Sequence, residues 1–227
     1  MSKLRDRAER EIGPRLIVAA STVTAPARAA AAARRATGRS GRLELYFGFD
    51  EPTSAFAVID LEQRLQGRKV IFDLLPVVER GIKDDPALER KLVYRIADGR
   101  RLGRRIGMTL CRSEPIDPQQ TAFLASWVAA APRGTALTRF CAAACRRIWF
   151  ESDEPIEQAR YVELWRECFG SAPVADVEAV RANEKKMASR GPYETPAAFI
   201  GGRWFFAQDR SAQIADWLDE LGWTVKR

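Results

Sequence analysis

Two strand-rich stretches, separated by a long run of helical pattern, constrain the fold of this chain most. Residues 42–49 read RLELYFGF, which alternates and is rich in aromatic side chains. A helical pattern over 52–66 follows, and the apolar run RKVIFDLLP at 68–76 then reads as a second, largely buried strand. A strand, a helix and a strand with short connections form a right-handed βαβ unit, so we predict that the two strands are parallel.

The pattern then changes twice. Residues 81–190 contain a series of amphipathic helical segments separated by proline and glycine, with no strand signal. Strand character returns at 196–207, PAAFIGGRWFFA, where Gly201-Gly202 is typical of a hairpin turn. A last amphipathic helix is predicted over 208–221. The order is therefore βαβ, a helical block, and ββα.

Without the helical block, this order is the minimal thioredoxin topology. We predict an α/β protein with a thioredoxin-like fold, an inserted all-helical domain and an N-terminal helical extension. The predicted boundaries are 42–80 and 191–227 for the thioredoxin-like domain, 81–190 for the inserted domain and 1–41 for the extension.

The positive charge of the chain is concentrated at its N-terminus. The 227 residues carry a formal net charge of +7, and residues 1–42 hold ten basic and three acidic side chains, which accounts for the whole excess. The rest of the chain is balanced, which argues against a nucleic-acid-binding protein. For the basic segment two interpretations stay open: a solvated helix, or an arm that contacts a partner. No apolar run is long enough for a membrane span.

The residue inventory excludes several kinds of chemistry. The chain has no histidine, which removes Ser-His and Cys-His nucleophile pairs and histidine-ligated metal sites. We expect no metal. The four cysteines include no C-x-x-C pair, and the sequence favours free thiols in a reducing, cytoplasmic compartment.

Two short motifs are candidates for the functional site. In a thioredoxin fold the first helix begins where the active-site C-x-x-C lies, and here that place holds Glu51-Pro52-Thr53-Ser54. A helix N-terminus stabilises an anion such as a thiolate. The second motif is YETPAAF, in which Pro196 begins the third strand and would form a cis peptide bond with Thr195. Without the two cysteines, the chain is not expected to be a dithiol oxidoreductase.

The chain resembles the family of hydroxychromene-carboxylate isomerases and kappa-class glutathione transferases. Three motifs, in the family's order and spacing over about 43–221, carry the resemblance: YFGFDEPTSAFA for the family's aromatic strand and Ser-Pro-Tyr-Ser, GPYETP for its Gly-x-Phe-Gly-Val-Pro, and AQDR for its Gly-Gln-Asp-Arg. The resemblance implies a thioredoxin-fold enzyme that binds glutathione and a small-molecule substrate. It also suggests a homodimer.

The resemblance also implies which residues bind glutathione. Thr195 and Pro196 would hold the tripeptide backbone, and Gln208 and Asp209 would hold the γ-glutamyl end. A carboxylate such as Asp209 pairs well with the γ-glutamyl ammonium. The alternative for Gln208 and Asp209 is ordinary capping of the last helix.

The family's catalytic serine, which hydrogen-bonds the glutathione thiolate, is replaced here by Glu51. An ionised carboxylate repels a thiolate and cannot donate a hydrogen bond to it. Glu51 therefore serves as a general base or as an acid with a raised pKa, or the ancestral chemistry is lost, or DEP is simply an acidic helix start with proline at its first position. Ser54, one helical turn further on, keeps a hydroxyl that is able to support a thiolate.

Two functions follow from these observations. The first is a glutathione-dependent isomerase or transferase with altered chemistry, in which the candidate catalytic residues are Glu51 and Ser54. The second is a non-catalytic thioredoxin-fold protein that holds a partner through the basic arm or the helical insertion.

Overall fold

The computed structural model describes residues 24–82 and 84–225. The predicted basic helical extension is seen from Ala25, where helix α1 (Ala25–Ala36) begins, and residues 1–23 lie outside the described ranges. Helix α1 is attached to the body by an ion pair of 2.6 Å between Arg28 and Glu220 and by the buried side chain of Ala31.

A four-stranded mixed sheet forms one layer of the fold. Its strands are β1 (Gly41–Phe47), β2 (Val70–Pro76), β3 (Ala197–Ile200) and β4 (Arg203–Phe206), in the order β2-β1-β3-β4. Strands β1 and β2 are parallel and in register from Gly41 opposite Val70 to Phe47 opposite Pro76, as predicted. Strand β3 is antiparallel to β1, and β4 pairs with β3 as the predicted hairpin.

The helices follow the predicted order. Helix α2 (Pro52–Arg64) connects β1 and β2, and Gly67, with a φ of 74°, lets the chain turn back into the sheet. The helices between β2 and β3 are α3 (Leu88–Ile106), α4 (Pro118–Ala130), α5 (Thr135–Arg146), α6 (Gln158–Phe169) and α7 (Val177–Ser189). A π-helical turn, Arg147–Glu151, extends α5, and α8 (Ser211–Glu220) ends the fold.

Helix α5 lies at the centre of the inserted helices and packs against α2 and α6. Its buried face carries Phe140, Cys141, Ala144 and Cys145, and the small side chains let α2 approach closely. One continuous apolar core contains these residues together with the inner faces of β1 and β3. The sheet and the inserted helices are therefore stabilised by shared burial, and the exact domain boundaries stay a prediction.

Two buried tyrosines make the fold sensitive to alkali. Burial raises the pKa of both Tyr46 and Tyr161 to about 12, because it disfavours the charged phenolate. Between about pH 10 and about pH 12 the unfolded chain loses these protons first, so stability falls as the pH rises, by about 2–3 kcal/mol for each tyrosine. We expect Tyr46→Phe to lose less stability than the wild type over this range in urea unfolding; an unchanged loss would contradict the assignment.

Within the described ranges, no helix is long and apolar enough to cross a membrane.

Candidate functional site

The junction between β1 and α2 buries two carboxyl groups. Strand β1 ends at Phe47 and α2 begins at Pro52, which occupies the first helical position as predicted. Asp50 is buried, and Glu51, at the N-cap position, is only 1% exposed. The Glu51 side chain makes no capping hydrogen bond to the helix backbone. A helix start with proline at its first position therefore explains Pro52. It does not explain why the carboxyl groups of Asp50 and Glu51 are buried.

The carboxylate of Glu51 is shared by four donor side chains. One oxygen, Oε2, accepts a hydrogen bond of 2.9 Å from the Ser54 hydroxyl and another from the Thr195 hydroxyl. The other, Oε1, lies 3.1 Å from Nε of Arg80 and 2.7 Å from Nη1 of Arg95. Glu51 therefore joins the start of α2, helix α3 and the segment before β3.

Arg80 forms ion pairs with both acids, Asp50 and Glu51. Its side chain is 5% exposed, pairs with Asp50 as well as Glu51, and donates a hydrogen bond of 3.0 Å to the carbonyl of Val78. Gly48 makes room for this arrangement: a Cβ at that position would lie 2.6 Å from Oδ1 of Asp50 and 2.9 Å from Cζ of Arg80. The glycine inside FGFDEP thus allows the close approach of the guanidinium.

The electrostatics of the junction favour an ionised Glu51. Burial alone would raise the pKa of Glu51, but Arg80 and Arg95 outweigh it and hold that pKa below its usual range. Burial raises the pKa of Asp50, because the single partner Arg80 offsets only part of the desolvation. The lowered pKa of Glu51 is opposite to the raised pKa that a general acid requires.

Helix α3 covers the junction and continues the charge network outward. Gly99 packs on Pro52, since a Cβ there would lie 3.0 Å from the Pro52 ring. Arg95 pairs with Glu194 in addition to Glu51. Arg80, Arg95 and Glu194 are residues that the sequence did not single out, because charged residues are common in these stretches and the pairing depends on tertiary packing.

The segment before β3 confirms the predicted cis peptide bond between Thr195 and Pro196. The Pro196 carbonyl accepts a hydrogen bond of 2.9 Å from the N–H of Ala207, which closes the β3-β4 pair. In the described part of the chain, neither the N–H nor the C=O of Thr195 bonds to another backbone group. The Thr195 side chain is held by Glu51, while its backbone stays unpaired.

Gln208 and Asp209 lie directly after Ala207, and therefore next to the same segment. Gln208 is half-buried, and the Asp209 side chain is 53% exposed, with Arg210 at 3.9 Å. Helix α8 begins only at Ser211, and its N-cap residue, Arg210, makes no side-chain capping bond. Capping of the last helix is thus not what Gln208 and Asp209 do, and their role in binding glutathione stays a prediction.

A cavity of about 430 Å³ opens beside this cluster. It is lined by residues of α3 and by the residue before Thr195: Arg90, Lys91, Tyr94, Arg95 and Glu194. Three of the five lining side chains are cationic, so the cavity favours an anionic ligand. Arg95 forms both a wall of the cavity and a contact to the buried Glu51, so it connects the two.

The four thiols do not form a redox pair. All the cysteines lie in the described ranges and are free; Cys141 and Cys145 are buried, Cys168 is half-buried and Cys111 is exposed. Burial raises the pKa of Cys141, Cys145 and Cys168. Among the described residues, no cluster of histidine, cysteine or carboxylate side chains has the arrangement of a metal site.

These thiols should differ strongly in reactivity. We expect a chromogenic disulfide reagent to modify Cys111 first and Cys168 more slowly, because only the exposed thiolate reacts. Cys141 and Cys145 should react only after unfolding in denaturant. The course of thiol release measures this, with Cys111→Ser as the control that removes the first phase. Rapid modification of Cys141 in the native protein would contradict the buried face of α5.

Comparisons with known proteins address the fold. No family model and no curated relative matches the sequence. Two solved structures are similar at 17% identity over 80% of this chain: a 2-hydroxychromene-2-carboxylate isomerase, 96% of which is covered with a TM-score of 0.59, and a probable DsbA oxidoreductase from Streptomyces coelicolor, 90% of which is covered with a TM-score of 0.58. The chain thus has a thioredoxin-like fold with an inserted set of helices, the fold shared by these two proteins.

Proposed function

We propose that this protein is a glutathione-dependent isomerase or transferase that binds the tripeptide at Thr195 and a small-molecule substrate in the adjoining cavity. The unpaired backbone of Thr195 is the observation that carries the proposal. An extended peptide ligand gains affinity by pairing its main chain with unpaired backbone groups of this kind. The resemblance in sequence and the similarity in fold to the isomerase support the same site.

The charges around Thr195 suit the ends of glutathione. The tripeptide carries carboxylates at both ends and an ammonium at the γ-glutamyl end. The cationic wall formed by Arg90, Lys91 and Arg95 is able to take a carboxylate. The exposed carboxylate of Asp209 is able to take the ammonium, with Gln208 beside it.

We infer that Glu51 and Ser54 act in this site through Thr195. Neither carboxylate oxygen of Glu51 is free, and Ser54 is fully buried between Glu51 and the N–H of Gly48, which donates to its hydroxyl over 3.2 Å. Because Thr195 donates its hydroxyl to Glu51, the carboxylate fixes the orientation of the residue that binds the ligand backbone. Glu51 is thus a positioning residue.

Calorimetric titration of glutathione tests the proposal. We expect binding, and we expect Asp209→Asn to weaken it about tenfold, because a charge-assisted hydrogen bond contributes about 1.5 kcal/mol or more. The matched control is Asp216→Asn, an exposed carboxylate on α8, which should leave the affinity unchanged. No heat of binding at millimolar glutathione would overturn the proposal.

The completeness of the Glu51 pairing favours a second candidate, a non-catalytic binding or scaffold protein. In the corner formed by Asp50, Glu51, Ser54, Arg80, Arg95 and Thr195, these side chains are already paired with one another, which is suited to holding a structure rather than to chemistry. In that case the full-length protein does not bind glutathione but binds a partner. The partner is no longer bound when Arg5, Arg7 and Arg10 of the basic arm are replaced by glutamine. Capture that survives these replacements would exclude the arm.

Two further properties are proposed with the first candidate. The free thiols support a reducing, cytoplasmic location. The resemblance supports a homodimer, which sedimentation equilibrium would distinguish from a monomer.

A further inference from the structure

We propose that the sulfur position of this site takes a neutral sulfur, so that the preferred ligands are thioether conjugates of glutathione rather than the glutathione thiolate. The inference rests on the proposed function and concerns the same site. It follows from three features of the corner: the use of its donors, its charge and the shape of its open side.

The side-chain hydroxyls that would hold a sulfur anion are already used. Each hydroxyl has a single hydrogen, and those of Ser54 and Thr195 both point at Oε2 of Glu51. Pro52, the first residue of α2, has no N–H to offer. The chain thus supplies its own anion, the Glu51 carboxylate, at the helix start where a thiolate would otherwise be stabilised.

The charged groups that the structure describes at the corner are already paired with one another. Three carboxyl groups, those of Asp50, Glu51 and Glu194, face the two guanidinium groups of Arg80 and Arg95. Lys91 is 2.6 Å from Asp85 and 3.8 Å from Glu194, so its charge is shared as well. Both guanidinium groups that contact Glu51 are thus already paired with carboxylates, so a thiolate beside Glu51 gains no new cationic partner from them, whereas a thioether adds no charge.

The open side of the site accepts a substituent on the sulfur. The cavity of about 430 Å³ presents the ring of Tyr94 and the aliphatic parts of Arg90 and Lys91. Tyr94 is 59% exposed, so an apolar group is able to cover its ring. Long basic side chains bury apolar surface with their stems while their charged ends stay in water. A conjugate thus gains contacts that the free thiol does not have.

The test compares glutathione with S-methylglutathione in calorimetric titrations of the wild-type protein at about pH 6.5 and about pH 9.5, on either side of an ordinary thiol pKa near 8.5. We expect S-methylglutathione to bind at least as tightly as glutathione at the lower pH. At the higher pH we expect the affinity of glutathione relative to that of S-methylglutathione to fall about tenfold further, because only glutathione has a thiol that ionises there. The ligands share the same ammonium and carboxylates, so the titration of those groups cancels in the ratio.

The other outcomes separate this inference from the proposed function. If glutathione binds at least about tenfold more tightly than S-methylglutathione, with thiolate absorbance near 240 nm at neutral pH, the inference is wrong and the proposed function stands. If neither ligand binds at millimolar concentration, the proposed function itself fails, and this inference with it.

A variant adds a second measurement. Glu51→Ser removes the internal anion and provides a hydroxyl, so the ratio of the two affinities should move toward glutathione by about tenfold, which corresponds to a bound thiol pKa lower by about one unit. Glu154→Gln, which removes an exposed carboxylate far from the corner, is the matched control and should leave the ratio unchanged. An unchanged ratio in a folded Glu51→Ser protein would contradict the inference, and the wild-type ratio decides it if that variant does not fold.

Discussion

Replacing Arg80 by glutamine is expected to lower the free energy of unfolding by about 3–5 kcal/mol, as is usual when one partner of a buried ion pair is removed. The Arg80 side chain is 5% exposed and contacts both Asp50 and Glu51. Glutamine leaves Asp50 without a cationic partner and Glu51 with Arg95 alone. One buried carboxyl group then has no cationic partner and the other keeps only one, which explains the size of the effect.

Urea unfolding of the wild type and of Arg80→Gln measures this loss. Arg160→Gln is the matched control, since Arg160 also pairs with a carboxylate, Glu154, but both side chains are exposed. Exposed ion pairs contribute little, so the control should unfold at the wild-type urea concentration. Equal midpoints for Arg80→Gln and Arg160→Gln would show that the buried cluster contributes no more than a surface pair.

The effect of Arg80→Gln should depend on pH in a defined direction. In the wild type the pKa of Glu51 is lowered, so its stabilising contribution is present above the unfolded pKa and is lost as the pH falls through the folded value. The pKa of Asp50 is raised by burial even with Arg80 present, and without Arg80 it should rise further. The carboxylates of Asp50 and Glu51, which have lost Arg80, therefore destabilise the variant most at neutral pH. The stability gap should therefore narrow as the pH is lowered toward about 4.

The sequence predicted the parts of this fold that depend on local pattern. Alternating residues in RLELYFGF gave β1, and Gly201-Gly202 gave the hairpin between β3 and β4. Pro196 begins a strand, and the cis peptide bond before it was expected from the thioredoxin fold and not from the local pattern alone. The strand and the hairpin depend on residues that are close together in the chain, so one sequence is enough to predict them.

The contacts that the sequence did not show depend on tertiary packing. The sequence placed Glu51 correctly at the head of α2, but it did not show that α3 covers this residue and brings in Arg95. Arg80 lies 29 residues after Glu51, and nothing in its local sequence marks it as buried. The one available signal was Gly48, because a glycine at the end of an aromatic strand indicates that another group approaches closely.

Helix ends were also set by contacts that local pattern does not show. The predicted last helix began at Gln208, but Ala207 still bonds to Pro196, and α8 begins at Ser211. Helix α5 ends in a π-helical turn from Arg147 to Glu151, which the amphipathic pattern of the segment does not show. The wider turn carries Trp149, which joins the inserted helices to the functional corner.

Trp149→Ala is expected to destabilise the protein by about 3–5 kcal/mol, the range for removing a large aromatic side chain from a core. Trp149 is fully buried, and its indole N–H donates a hydrogen bond of 2.9 Å to the carbonyl of Phe49. Phe49 directly precedes Asp50, so the bond connects the helical insertion to the strand end that positions the acids. Thermal and urea unfolding measure the loss.

Trp149→Phe separates the hydrogen bond from the packing. Phenylalanine keeps most of the ring but leaves the buried carbonyl of Phe49 without its donor, which costs about 1–3 kcal/mol. Trp165→Phe is the matched control, because Trp165 is equally buried in the same core but its indole N–H has no partner among the described residues. We expect Trp149→Phe to be the more destabilising of the two by at least about 1 kcal/mol. Equal losses would mean that the bond to Phe49 contributes nothing and that the insertion is joined to the corner by packing alone.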